Sequence, residues 1–376
     1  MHLPFRFCSR LLSAILLCGT TSTPFAPAQE SLPPLTTSRA DSIERARTAA
    51  AALLPLYDRN TGLFSTTGWW NSANAITALA DESRVANDLT VRWLFPDAFH
   101  RAPIRFPAFL NEFYDDEGWW ALAWLDVYDL TPHTRQAKQY LRTSEVIFDD
   151  MTGGWDDTCG GGIWWKKDSH YKNAIANELF LSVAANLALH THGKQRTRYL
   201  DWANREWSWF SHSGMINSEG LINDGLDSSC HNNGKNTWTY NQGVVLGGLV
   251  ALSRATRQPD LLITANQIAT AALIHLIDPQ GVLHDPCEPD CGEDGVQFKG
   301  IFNRNLAQLQ AVTANPAFVH FLQTNATSLW VHARTPTNRF STVWTGPPAE
   351  ANAGAQISAL DALVASAGVA SSPSHP

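Results

Sequence analysis

The sequence predicts an all-α protein, a single-domain (α/α)6 barrel. Three observations lead there. Beyond residue 40 alternating strand patterns are nearly absent, while apolar residues recur at helical spacing, with turn residues at intervals suited to helix pairs. A weak internal repeat places aromatic and amide residues ahead of small apolar ones. Between the repeats lie more charged stretches, each with an apolar stripe.

The helical candidates number about twelve. They begin near Asp41, Trp70, Val85, Gly118, Thr134, Tyr171, Lys194, Tyr240, Pro259, Phe298, Pro316 and Glu350. The repeat is GWWNSANAITAL from Gly68, YDDEGWWALAWL from Tyr114, YKNAIANELFL from Tyr171, WTYNQGVVLGGL from Trp238, FKGIFNRNLAQL from Phe298 and, faintest, AGAQISAL from Ala353. Intervening stretches such as HTRQAKQYLRTSEVIF from His133 and KQRTRYLDWANREWSWF from Lys194 have the character of solvent-facing helices. Small-residue helices alternating with amphipathic ones describe an inner ring and an outer ring. Inner helices of such a ring run in one direction, so their N-terminal ends gather on one face. Capping explains Asn, Asp and Thr at helix starts. It does not call for Trp-Trp, Trp-Thr-Tyr-Asn-Gln or Phe-Lys-Gly, whereas a shared cleft does.

The ends of the chain read as processing segments. Arg6 and Arg10 precede a short apolar run, Leu11 to Cys18, and Ala26-Pro27-Ala28 supplies small residues for cleavage. That run is shorter than the roughly 20 apolar residues of a bilayer span. Residues 1–28 are therefore expected to be a signal peptide, 29–39 a flexible leader, 40–370 the catalytic domain and 371–376 a disordered tail. The final ASSPSHP has no hydrophobic anchor signal. The expected product is a secreted, soluble monomer.

Composition narrows the classes of function. Hydrophobic residues at 44% supply a sizeable core, and charged residues at 16% are too few for a disordered chain. A net charge of -8 without a Lys/Arg block argues against nucleic acid and anionic membranes. The 15 Trp exceed what a core readily absorbs, since each indole N–H wants a partner, and point to a broad aromatic cleft. Past the signal segment four cysteines remain, Cys159, Cys230, Cys287 and Cys291. An even number in an exported chain predicts two disulfides. Three pairings are possible and stay open; Cys287 and Cys291 are near enough to close a small loop, which leaves Cys159 for Cys230. Without a matching CxxC or His pair, no metal is expected. Asn325-Ala326-Thr327 forms a glycosylation sequon.

Glycosidic cleavage typically uses two carboxyl groups, one to protonate the leaving oxygen and one to attack or to activate water. Three Asp-Asp pairs occur. Asp149-Asp150 ends an outer-type helix and reads as a turn. Asp156-Asp157 lies in the Gly-rich loop GGWDDTCGGGIWW and reads as a substrate contact. Asp115-Asp116 heads an inner-type helix ahead of Trp119 and Trp120, and is the expected catalytic pair. A helix N-terminus favours an ionised carboxylate, so the acid of the pair must be raised by burial or by its neighbour's charge. Adjacent residues reach the short carboxyl separation of retaining enzymes more easily than the longer inverting one. Trp70, Trp119, Trp120, Trp165, Tyr240 and Phe298 are candidate stacking faces. Asn71, Asn74, Asn173, Asn241 and Gln242 suit sugar hydroxyls, and Lys172, Lys299 and Arg304 suit a polar substrate. Glu178 reads as a partnered core charge or a support for the site. Neither a dinucleotide fingerprint nor a GxSxG elbow is present, and no cofactor is expected.

YDDEGWWALAWLDVYD, GLFSTTGWWNSANA, GGGIWW, YKNAIANELFL, TWTYNQG and FKGIFNR together resemble glycoside hydrolase family 76, in order and from about Thr61 to Arg304. The resemblance implies an (α/α)6 barrel acting as a retaining endo-mannanase on α-1,6-linked mannan. It places Asp115 as nucleophile and Asp116 as acid/base. The cysteine positions also resemble the fungal, cell-wall-associated branch, which implies an alternative role as a transglycosylase in glycan remodelling. A non-catalytic mannan-binding protein is a third reading, and the presence of both Asp speaks against it.

Overall fold

The structure, a computed structural model, describes residues 37–132 and 134–370. The expected signal peptide, most of the leader and the tail at 371–376 lie outside the described residues, as do Cys8 and Cys18.

Two concentric rings of helices make the fold, an (α/α)6 barrel. The inner helices are α2 (Trp69–Val85), α4 (Tyr114–Leu130), α6 (Ala174–His190), α8 (Thr239–Thr256), α10 (Phe298–Thr313) and α12 (Ala353–Val369). The outer helices are α1 (Arg39–Leu53), α3 (Leu94–Arg101), α5 (Arg135–Met151), α7 (Gly193–Phe210), α9 (Asp260–His275) and α11 (Pro316–His332). Each inner helix packs on the next, and α12 closes the ring against α2. Nearly every residue of α6, α8 and α12 is buried, as expected of helices enclosed on all sides. Small residues permit this crowding: a Cβ on Gly243 would meet the Phe302 backbone at 2.6 Å, and one on Gly300 would meet Ser358 at 2.5 Å.

Local chemistry sets the helix starts. Thr134, Asn173, Asn315 and Asn352 each accept a hydrogen bond from a first-turn backbone N–H. Two expected starts are corrected. No helix begins at Val85, where α2 instead ends; Asn87 turns left-handed, Asp88 caps the N–H of Thr90, and α3 starts only at Leu94. The fourth helix begins at Tyr114 rather than Gly118, because Asn111 accepts from the Phe113 N–H and the Tyr114 N–H bonds to Trp165 O. Asp115, Asp116 and Glu117 thereby fall in the first turn of α4.

A hairpin-like bridge precedes five inner helices: Tyr57 with Phe64, Trp155 with Ile163, Ile216 with Ile222, Ile277 with Leu283, and Arg334 with Phe340. Inner helices hold four of these bridges, and the outer helix α11 holds the one at Leu283. Ser72, Asn177, Gln242 and Gln356 accept from the backbone N–H of Phe64, Ile163, Ile222 and Phe340 respectively. Much of the amide content of the repeat thus serves the scaffold. Disulfides join Cys159 to Cys230 and Cys287 to Cys291. Asn325, in the sequon, is fully buried in α11, where it accepts from the Leu283 N–H and donates to Phe321 O; this position is closed to glycosylation.

Candidate active site

The N-terminal ends of the inner helices form one face of the barrel, and the Asp115–Asp116 pair sits there at the head of α4. Asp115 Oδ2 accepts from the Trp165 indole at 3.1 Å, and its Oδ1 is buried with no partner among the described residues. Asp116 Oδ2 accepts from the Asn111 amide at 2.6 Å. Behind them Glu117 is fully buried, taking the Asn111 backbone N–H at 3.1 Å and the Lys167 ammonium at 2.8 Å.

Burial pushes the Asp115 carboxyl up to about 7, against the stabilising pull of the Trp165 N–H and of backbone N–H groups in the helix's first turn. Asp116 is pushed well above the ordinary carboxyl range by burial and then by the negative charge of Asp115. Glu117 is raised to about 8, again by burial, with Lys167 opposing. Two adjacent carboxyls of unequal proton affinity are what an acid and a nucleophile require at one pH.

An aromatic wall flanks the pair. Trp70 stacks on Trp119 at 5.7 Å and leans on Phe298 at 6.3 Å, and Phe298 stacks on Tyr240 at 3.8 Å with Trp238 edge-on at 5.6 Å. Trp165, Phe113 and Tyr171 continue it on the other side. Of the expected stacking faces, Trp70, Trp119, Trp165, Tyr240 and Phe298 are brought together.

Trp120 is a correction: fully buried between Trp69, Phe109 and Trp124, it packs the space between the rings and has no face for a sugar. The expected cationic contacts are likewise committed elsewhere. Lys172 is buried and donates to Asp156 at 2.7 Å and to the carbonyls of Thr158, Gly161 and Gly162, so it holds the Gly-rich loop in shape. Lys299 pairs with Glu288 at 2.7 Å and bonds to Thr342 O. Arg304 pairs with Asp361 at 3.2 Å, bonds to Asn74 Oδ1, and lies 5.6 Å from the Trp119 ring as support beneath the wall. A buried unpartnered charge is costly, which is why such cations acquire internal acids.

The expected amides are mostly structural. Asn71 accepts from the Gly68 N–H and donates to Gln297, Asn173 caps α6, and Gln242 clamps Ile222. Asn241 is fully buried, and its side chain has no partner among the described residues. Asp156 is bound to Lys172, while Asp157 is fully exposed beside Arg205 at 4.0 Å. Glu178 is fully buried without a partner among the described residues, and burial pushes its carboxyl well above the ordinary range.

Sequence reading passed over Asn111, Glu117, Asp224 and Asp294. Asp224 accepts from the Tyr171 hydroxyl, and Asp294 accepts from the Trp70 indole at 2.7 Å. Asn111, Asp224 and Asp294 lie in loops, where polar residues are ordinary and give no periodic signal. Among the described residues, no His/Cys/Asp/Glu group has the makings of a metal site, and no helix is long and apolar enough to cross a membrane.

Comparison with known proteins places the chain. It is 26% identical over 273 residues to mannan endo-1,6-alpha-mannosidase DFG5 of Candida albicans, covering 66% of this chain but only 60% of that relative. To mannan endo-1,6-alpha-mannosidase DCW1 of Saccharomyces cerevisiae it is 27% identical over 340 residues, covering 82% and 74%. A solved structure of the α-1,6-mannanase GH76A of Salegentibacter sp. HEL1_6 superposes with a TM-score of 0.77 at 25% identity, covering 87% of this chain and 99% of that one. That protein is an inactive variant, with two adjacent aspartates changed to asparagine, bound to α-1,6-mannotriose. Dfg5 of Chaetomium thermophilum shares the fold, with a TM-score of 0.78 at 20% identity over 90% of this chain and 92% of that one. Residues 42–374 match glycosyl hydrolase family 76, and the chain belongs to that family.

Proposed function

We propose that this protein is an exported endo-α-1,6-mannanase that cleaves α-1,6-linked mannan with retention, using Asp115 as nucleophile and Asp116 as general acid/base. The observation that carries the assignment is the asymmetry within the pair. Both residues lie at the positive end of α4 and each accepts one side-chain donor, Asp115 from Trp165 and Asp116 from Asn111. What tips Asp116 toward the protonated acid is the charge of Asp115 on top of its own burial.

In the first step Asp115 attacks the anomeric carbon while Asp116 passes its proton to the departing O6 of the next sugar. A mannosyl ester on Asp115 results. Asp116, now a carboxylate, then takes a proton from water as the water oxygen attacks the same carbon and frees Asp115. Trp70 and Tyr240, both partly exposed, supply stacking surface for sugar rings, with the buried Trp119 and Phe298 packed behind them. The names of the DFG5 and DCW1 relatives, and an inactive relative altered at two adjacent aspartates, support the substrate and the pair. Two disulfides support an oxidising compartment and hence export.

The test is to incubate purified protein with linear α-1,6-mannan, alone and with added mannotriose. Short oligosaccharides in both cases support hydrolysis, and chain-lengthened products with mannotriose would assign transfer instead. Binding of mannan with no product in either case contradicts both.

A further inference from the structure

The loop at 276–297, ahead of α10, is fixed from several sides. Asp285 accepts from the backbone and hydroxyl of Thr239 at 2.9 and 2.7 Å, and Leu283 is held by Asn325. Glu288 pairs with the buried Lys299, and Cys287 is bonded to Cys291. At the far end the Gln297 carbonyl oxygen, Oε1, accepts from Asn71 at 2.7 Å, and the Gln297 N–H donates to Asp294 O. The loop head is thus clamped to the head of α2 twice over, at Gln297 to Asn71 and at Asp294 to Trp70. That clamp holds the exposed Asp294 carboxylate on the Trp70 indole, at the aromatic wall beside the Asp115–Asp116 pair.

We propose that Asp294 is a third carboxylate of the active site, a positioning residue that orients the Trp70 ring for stacking and adds negative charge near the Asp115–Asp116 pair. This rests on the mannanase reading for its consequence, though not for its geometry. Trp70 belongs to the wall beside the pair, and an indole whose N–H is anchored presents one fixed face to a sugar. The charge of Asp294 raises the proton affinity of Asp115, Asp116 and the Tyr240 hydroxyl. Other ionisable groups face the pair as well. Glu112 and Glu117 flank it on its own segment, Asp224 and Glu178 approach through Tyr240, and Lys167 is bound to Glu117. The cations Lys172, Lys299 and Arg304 are each held by internal partners, so the negative field of the cleft is not cancelled from that side.

Two substitutions separate the roles. Asp294→Asn keeps an oxygen for the indole and loses the charge, whereas Asp294→Ala loses both. The carboxyl carbons of Asp115 and Asp116 are followed by NMR across pH in ligand-free wild type, Asp294→Asn and Asp294→Ala. Both variants are expected to lower the ionisations of the pair by roughly half a pH unit or more. Unmoved ionisations in Asp294→Asn overturn the electrostatic role, whether or not the protein cleaves mannan. Mannotriose binding is then measured in an Asp116→Asn background. Asp294→Ala is expected to weaken it about tenfold, and Asp294→Asn less than about threefold. Equal binding by both variants overturns the orienting role. Failure of the parent protein to bind or cleave would instead count against the mannanase reading, leaving the NMR result to judge Asp294.

Discussion

The indole Nε1 of Trp165 lies 3.1 Å from Oδ2 of Asp115 and donates to it, from a loop fifty residues further along the chain. This donor separates the two carboxyls of the pair chemically. Asp115 accepts from the Trp165 indole and Asp116 from the Asn111 amide, and Asp116 is raised further by the charge of Asp115. In the proposed mechanism this difference suits Asp115 to attack and Asp116 to donate a proton.

Trp165→Phe keeps the ring and removes that donor. The ionised Asp115 loses a stabilising hydrogen bond, so its proton affinity rises. The acid limb of kcat/KM should move to higher pH, with about a tenfold loss at pH 6 and a smaller one at pH 8. Steady-state rates across pH check this; an unshifted acid limb with uniformly lowered rates would assign Trp165 to stacking alone.

Asp116→Asn should lower mannan hydrolysis by about 10²–10⁴-fold, the usual worth of an acid/base group. With a mannoside whose leaving group needs no proton, its first step should recover to near the wild-type rate, visible as a burst of released leaving group. Asp115→Asn should show neither turnover nor burst, because no ester can form. Rapid-quench kinetics on the two variants reads the roles directly.

Lys172→Met should unfold the Gly-rich loop rather than merely weaken substrate binding. The ammonium is buried and bonds to Asp156 and to three carbonyls, and removing it strands them. A loss of about 1–3 kcal/mol of stability is expected in chemical denaturation, from the carbonyls left unpaired. Unchanged stability with a raised KM would restore Lys172 to the substrate contacts.

Glu82 on α2 is fully buried, and neither carboxyl oxygen has a partner among the described residues. Burial raises its folded-state pKa to about 7, above the ordinary 4.5, so the folded chain holds that proton more tightly than the unfolded one. Its stability contribution is full below about pH 4.5 and is lost as pH rises to about 7. Glu82→Gln should therefore leave stability near pH 4 unchanged and add about 1–3 kcal/mol at pH 8. Thermal denaturation at the two pH values distinguishes this from a pH-independent change.

The architecture was legible because its signal is periodic. Six small-residue helices alternating with six amphipathic ones follow from packing one ring inside another, and the acid pair stood out by heading one of them. The amide residues misled for a physical reason. At an inner-helix N-terminus, Asn71, Asn173 and Gln242 satisfy buried backbone groups of the preceding loops, a demand as strong as any sugar's. Lys172 and Lys299 sit at inner-helix heads and Arg304 nearly two turns into α10, yet their partners Asp156, Glu288 and Asp361 lie 11 to 57 residues away, a distance no local pattern encodes. Trp120 follows Trp119 by one residue and so points about 100° around the helix, into the core instead of the cleft. Asp294 and Asn111 were missed because loops carry polar residues for many reasons; Asn111 reaches Asp116 locally across the start of α4, whereas only the closed ring brings Asp294 beside Trp70.

The central claim is that Asp115 forms a covalent bond to the sugar. Its most direct measurement is peptide mapping by mass spectrometry after exposure to an activated fluorosugar analogue of mannose, which slows release of the glycosyl-enzyme. The expected result is a single glycosyl adduct on Asp115. An adduct on another residue, or none while mannan is still being cleaved, would contradict the account.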